Sequence, residues 1–216
     1  MTSTELQTQE SARELFRAAY ENRYTWDAHF PGFEADCTLL LNGETHSSKV
    51  SIQPDLSVSV ETADPKVQEW LTNQMKDVVT HRKRSDFEQA HGKHRFDYDG
   101  ETDETGAVPV TVGGDAMGSN YKLRDNQVVQ VSRVMGRVAF TINHLAKLDT
   151  GSGYISTAYN AVFKNPQTGD VVRQSKFEDT YEPIVGYYVM TKQVVHTREG
   201  DNSTLTELAL NNIRPL

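Results

Sequence analysis

The spacing of apolar residues switches from helical to alternating and back, and that order of periods predicts the elements. In LQTQESARELFRAAYENRY, the residues Leu6, Leu15, Phe16, Ala19 and Tyr20 form an apolar stripe concentrated in the second half, so a first helix is expected. Pro31-Gly32 ends any continuation, because proline disfavours helix in the residue before it and glycine permits a turn. FEADCTLLL then alternates, with Phe33, Ala35, Cys37, Leu39 and Leu41 on one face. Asn42-Gly43 is a strong hairpin signal and leads into THSSKVSI and DLSVSVE, so three strands are expected before residue 62. Asp64-Pro65 reads as an N-cap followed by proline at the first helical position. Val67, Trp70, Leu71, Met75, Val78 and Val79 mark the apolar face of a second helix that runs to about His81 or Arg84.

Beyond that helix the pattern is strand and turn. HRFDYD, VPVTV, NYKLRD, VVQVSRVM, RVAFTINHLAKL, GYISTAYNAVFK, VVRQSKFEDTY, YYVMTKQVVHT and TLTELALNNI are separated by turn-forming clusters such as Asp125-Asn126, Gly136 and Gly200-Asp201-Asn202. Two helices and about ten strands without βαβ alternation imply an α+β, mainly β fold. The expected architecture is a curved antiparallel sheet, a partly open barrel, wrapped on the two helices as a single domain spanning residues 1–216.

Charge narrows the partners. Twenty-two Lys and Arg face 30 Asp and Glu, a net charge of -8, which repels nucleic acid. The N-terminal MTSTELQTQESARELF lacks the basic flank and apolar run of a secretory signal, and no window approaches a membrane span, so a cytoplasmic location is expected. The lone Cys37 excludes a disulfide framework and reads as a buried, inert thiol.

Several stretches mimic chemical motifs. FDYDGETDE has its glycine fourth from Asp97, whereas a calcium loop needs it sixth, and it reads as a solvated acidic hairpin. His81, His91 and His94 lack the spacing of one metal-binding face; His81, Arg82, Lys83 and Arg84 read instead as cations at a helix C-terminus. That basic cluster leaves peripheral contact with an anionic membrane surface open. TVGGDAMGSNY opens no helix and gains no phosphate-binding role, and Gly151-Ser152-Gly153 is a turn. No cofactor, metal centre or catalytic triad is implied.

The late strands carry the more informative pattern. Val129, Val131, Arg133 and Met135 share one face; Val138, Phe140, Ile142 and His144 share another; Val171, Arg173, Ser175, Phe177, Asp179 and Tyr181 share a third. If these rows line a concavity, the ionisable members need partners, since an unpaired buried charge costs several kcal/mol. The crowded aromatics of RYTWDAHFPGFEAD have two readings: closure of the helix–sheet junction, or the lip of an apolar pocket.

The order of N-terminal helix, NRYTWDAHFPGFEADCTLLLNGE, a helix ending in His-Arg, YKLRDNQVVQVSRV, GYISTAYNAVF and YYVMTKQVVHT resembles a family of uncharacterised proteins from cyanobacteria and plant plastids. Its wrapped sheet in turn resembles lipoprotein carriers of the LolA/LolB type, although this chain shows no lipobox cysteine. The resemblance implies a non-enzymatic binding or assembly factor, in the cytoplasm or plastid stroma and linked to photosynthetic membranes. Its expected partner is an acyl, isoprenoid or pigment tail, or a hydrophobic protein segment. Trp26, Phe30, Phe33, Trp70 and Met75 are the candidate apolar wall, extended by Met135 and Phe140; Arg133, His144, Arg173 and Asp179 are the candidate polar end. Two alternatives stand beside it: a small-molecule enzyme using the polar cluster, and a protein-interaction module whose interior is filled.

Overall fold

A computed structural model describes residues 3–114 and 118–216, with side chains from Ser11 onward. The side chain of Leu6 in the expected stripe and residues 115–117 of the glycine-rich loop lie outside that description. The elements are α1 (Ser3–Glu21), β1 (Phe33–Leu41), β2 (Glu44–Ile52), β3 (Val58–Glu61), α2 (Pro65–Arg82), α3 (Phe87–His91), β4 (Arg95–Tyr98), β5 (Val108–Gly113), β6 (Ser119–Arg124), β7 (Gln127–Met135), β8 (Val138–Asp149), β9 (Tyr154–Lys164), β10 (Val171–Ile184), β11 (Tyr187–Glu199) and β12 (Asn202–Pro215).

The strands follow the order β3-β2-β1-β12-β11-β10-β9-β8-β7-β6-β5-β4, an open twelve-stranded sheet with β3 and β4 at its ends. All three early candidate segments and all nine late ones form strands, so the expected count of about ten is corrected to twelve among the described residues. The helix count is corrected as well, from two to three. Residues 85–93, expected as turn, contain α3, which is only one turn long and too short to show a period. Asp86 caps it by accepting from the Gln89 amide at 3.1 Å. No described helix is long and apolar enough to cross a membrane.

The chain divides into two compact units. The first holds residues 1–23, 85–176 and 198–201; the second holds 24–84, 177–197 and 202–216. In the first unit Ala12, Phe16 and Ala19 of α1 recur at four- and three-residue intervals and pack on Phe87, Phe96, Val110, Val112 and Leu123. Phe16 sits at the centre, 3% exposed, with ring neighbours Tyr121, His91 and Phe96 at 4.9, 5.1 and 5.2 Å.

In the second unit the Asp64 carboxylate accepts from the Lys66 amide at 2.8 Å and Pro65 opens α2, as expected. Val67, Leu71, Met75, Val78 and Arg82 form its buried face, while Trp70 and Val79 of the expected stripe are half-buried. Phe33, Ala35, Cys37 and Leu39 of β1 point inward with Val50, Ile52 and Leu208. Burial pushes the Cys37 thiol up to about 12, which keeps it protonated and unreactive. The edge strand β3 is guarded by Gln68 of α2, whose Nε2 donates to the Val60 carbonyl at 3.0 Å.

Two hairpins in this unit use the same turn with different chemistry. Asn42-Gly43 has φ of +53° and +82°; Val185-Gly186, between β10 and β11, has +49° and +82°. A β-branched residue in left-handed backbone is strained by about 1–2 kcal/mol, and Val185 is 62% exposed, with little packing in compensation. Val185→Asn is therefore expected to raise the denaturation free energy by about 1 kcal/mol. An unchanged or lower denaturant midpoint would show that the valine makes a contact worth more than its strain.

Candidate functional site

Strand register decides which side chains share a face. Opposite β6, Ser119 meets Arg133 and Tyr121 meets Val131 on β7. Across β7 and β8, Val131 meets Ile142, Arg133 meets Phe140 and Met135 meets Val138. Across β8 and β9, Phe140 meets Phe163, Ile142 meets Ala161 and His144 meets Tyr159. Directly opposed residues project to the same side. Tyr121 packs edge-on against Phe16, so this side continues the core that α1 covers. Towards β8 and β9 the cover thins: Phe140, Ile142, Tyr159 and Phe163 are only half-buried, and Met135 and Val138 are 45% and 39% exposed.

The reverse side carries more polar side chains, although Val134, 55% exposed, and Val162 project there too. Gln130 Nε2 donates to Asn143 Oδ1 at 2.7 Å, and Asn143 Nδ2 to Asn160 Oδ1 at 3.0 Å, an amide ladder across three strands. The two sides therefore differ: one carries the amide ladder, the other partly uncovered Phe140, Ile142 and Phe163.

That face brings together five of the sequence-derived residues, Arg133, Met135, Phe140, His144 and Arg173. Arg133 Nε donates to Ser119 Oγ at 2.6 Å, and the Arg173 guanidinium stands 4.0 Å over the Phe163 ring. His144 Nδ1 lies 2.7 Å from Ser156 Oγ and its ring 6.1 Å from Tyr159. Tyr159 and Phe163 were missed at the sequence level, although the alternation Tyr159, Ala161, Phe163 was there to be read.

The remaining candidates belong to the second unit. Trp26, Phe30, Phe33 and Met75 are 2%, 3%, 2% and 1% exposed, and Trp70 is half-buried. Trp26 stacks on Phe30 at 4.0 Å with planes 5° apart, and Phe30 meets Tyr187 edge-on at 5.3 Å. Trp26 Nε1 donates to the Tyr188 carbonyl, and the Tyr188 amide to Tyr24 Oη. These rings close the interior of that unit and turn their surfaces to protein. Asp179 is half-buried and accepts from Gln193 Nε2 at 2.9 Å. Arg82 lies in the last turn of α2, as expected of a cation at the helix C-terminus, and is only 7% exposed. It points inward because it follows Val78 at helical spacing, and its Nη1 donates to the Tyr24 carbonyl at 2.8 Å. Tyr181 is pushed up to about 12 by burial, partly offset by the Arg82 charge.

Residues 7–216 match one family over nearly the whole chain. The chain belongs to the DUF3386 family, described as proteins of unknown function. No protein of curated function is similar to it. Among solved structures it is similar to a candidate outer membrane lipoprotein-sorting protein domain from Vibrio parahaemolyticus, at 12% identity and a TM-score of 0.34 over 95% of this chain and 92% of that one. A DUF1329 family protein from Desulfovibrio piger matches at 9% identity and a TM-score of 0.27, over 96% and 93%. MucB in complex with MucA(peri) matches at 10% identity and 0.25, over 95% and 98%. TM-scores this low leave any functional reading to the chain's own residues.

The histidines of this DUF3386 chain separate. His81 lies in the second unit, whereas His91 and His94 meet in the first with Nδ1 atoms 3.0 Å apart. Among the described residues no three His, Cys, Asp or Glu side chains gather as metal ligands. Burial, then the charge of His94, pushes His91 down to about 4, so it is neutral at pH 7. In the acidic hairpin Asp103 is held well below the usual carboxylate range by Lys122 Nζ at 2.8 Å and by Thr105. A groove of about 440 Å³ on the second unit, between Thr180, Glu182, Ile184, Lys192 and Ile213, contains none of the sequence-derived candidates.

Proposed function

We propose that this chain is a non-enzymatic binding or assembly factor that holds an apolar chain on the β7–β9 face of its first unit. One observation carries the reading: Phe140, Ile142 and Phe163 project to one side and remain half-buried, while the Gln130, Asn143 and Asn160 ladder lies on the other. The candidate cargo is an acyl, isoprenoid or pigment tail, or a hydrophobic protein segment. A link to photosynthetic membranes, and a cytoplasmic or stromal location, rest on the resemblance of the quoted segments to cyanobacterial and plastid proteins.

Hexadecanol titrated against protein-bound Nile red tests this. Both probes are uncharged, so the assay reads apolar contact alone. Phe140→Glu puts a charge in the middle of the face and is expected to weaken hexadecanol at least about tenfold, since burying an unpaired carboxylate costs several kcal/mol. Thr141→Glu projects to the amide side and is expected to leave binding unchanged. Equal losses in both variants, or no hexadecanol binding by the unmodified protein, would refute the assignment.

A further inference from the structure

The two guanidinium groups that register and ring contact place on the proposed binding face, Arg133 and Arg173, are its cations. Arg133 on β7 and Arg173 on β10 flank the His144 imidazole on β8, and none of the residues that register places there on β7–β9 is Asp or Glu; by alternation along β10, the row of Arg173 also includes Asp179, which belongs to the second unit and accepts from Gln193 Nε2. This is notable in a chain with eight more acidic than basic residues. Asp97 and Asp103 of the first unit pair with Arg95 and Lys122 away from these rows.

The two arginines bracket an aromatic pair. Arg133 is opposite Phe140, Phe140 is opposite Phe163, their rings are 6.3 Å apart, and Arg173 covers Phe163 from the next strand. Arg133 leans the other way, towards Ser119 on β6. Their backbones are about 14 Å apart, three strand spacings, and the guanidinium groups lean in different ways, so they do not converge on one multiply charged group. Each is suited to a single carboxylate, which a guanidinium fork accepts through paired N–H groups. Along the strand, Val138 to His144 spans about 20 Å, enough to lay out a long acyl chain beside the arginines.

We propose that the ligand of this face is a carboxylate-headed amphiphile, a long-chain fatty acid or a molecule with the same head and tail, whose head meets Arg133 or Arg173 while its tail lies over Phe140, Phe163 and Ile142. This rests on the apolar-chain reading above and adds the head group to it. A neutral tail would gain nothing from the arginines, and a cationic one would be repelled.

The test compares hexadecanoate with hexadecanol and hexadecylamine at pH 8 and low ionic strength, by displacement of Nile red and by calorimetry. The three share one tail and differ only in the head. Hexadecanoate is expected to bind about 10- to 100-fold more tightly than hexadecanol, the range of a charge-assisted hydrogen bond. The double variant Arg133→Gln with Arg173→Gln is expected to remove that preference and leave hexadecanol unchanged. Should the double variant fold poorly by circular dichroism, Arg133→Gln and Arg173→Gln are measured singly, and at least one of them is expected to lower the preference at least threefold. Equal binding of hexadecanoate and hexadecanol overturns the carboxylate assignment while the apolar-chain reading stands. Tighter hexadecylamine, or a carboxylate preference untouched by the arginine variants, also overturns it. If none of the three binds, the apolar-chain reading itself fails, and the head-group assignment with it.

Discussion

Trp26→Ala is expected to lower the stability of the protein by about 3–5 kcal/mol, the cost of truncating a buried aromatic core residue. The indole is 2% exposed and stacked face to face on Phe30. Its Nε1 donates to Tyr188 at 3.1 Å, and its amide donates to the Arg82 carbonyl at 2.7 Å. Trp26→Phe keeps ring contact with Phe30 but removes the indole donor, and is expected to cost a smaller amount, about 1–3 kcal/mol, for the unpaired Tyr188 carbonyl and the lost volume. Urea denaturation followed by far-ultraviolet circular dichroism measures both. The same variants separate the two readings of the aromatic stretch. A ring that seals a core loses stability when truncated, whereas a ring that lines a pocket loses ligand affinity at modest stability cost. A Trp26→Ala midpoint within error of the unmodified protein, together with lost Nile red binding, would return Trp26 to the ligand site.

What the sequence could and could not reveal follows from the range of the interactions involved. Local signals were legible: the turn at Asn42-Gly43, the cap and proline at Asp64-Pro65, and the period-two rows of β7 and β8 that place Arg133 and Phe140 on their faces. Partners from distant sequence were not. The stretch from Tyr24 to Phe33 becomes core because Tyr187 and Tyr188, about 160 residues later, meet it, and no local pattern announces that pairing. The place of Arg82 at the helix end was legible, whereas its burial was not, although its position continues the stripe of Val67, Leu71, Met75 and Val78. Period outweighed charge there, since the guanidinium finds a carbonyl inside. The split of the candidate wall and most of the polar end between two compact units was equally invisible, because compactness depends on contacts and not on composition.

Phe16→Ala is the counterpart of the tryptophan variant in the first unit, with an expected loss of about 3–5 kcal/mol. Phe16 touches the rings of Tyr20, Phe87, His91, Phe96 and Tyr121, so its removal opens a space that five side chains border. The pH dependence carries a second signature. His91 in the folded protein sits at about 4, below the ordinary value of about 6.5 for an accessible imidazole. Between those values the unfolded chain binds a proton that the folded chain refuses, so stability rises with pH across this window. The stabilisation is complete above about pH 6.5 and lost as pH falls to about 4. Truncating Phe16 admits water to the imidazole, so the His91 pKa is expected to move up towards 6.5 and the slope across the window to flatten. Denaturation at pH 7 and pH 5, with an NMR titration of the His91 ring, reads both effects. A variant that loses stability while His91 still titrates near 4 would mean that the charges of His94, Arg23 and Arg13, rather than burial beneath Phe16, hold the imidazole neutral.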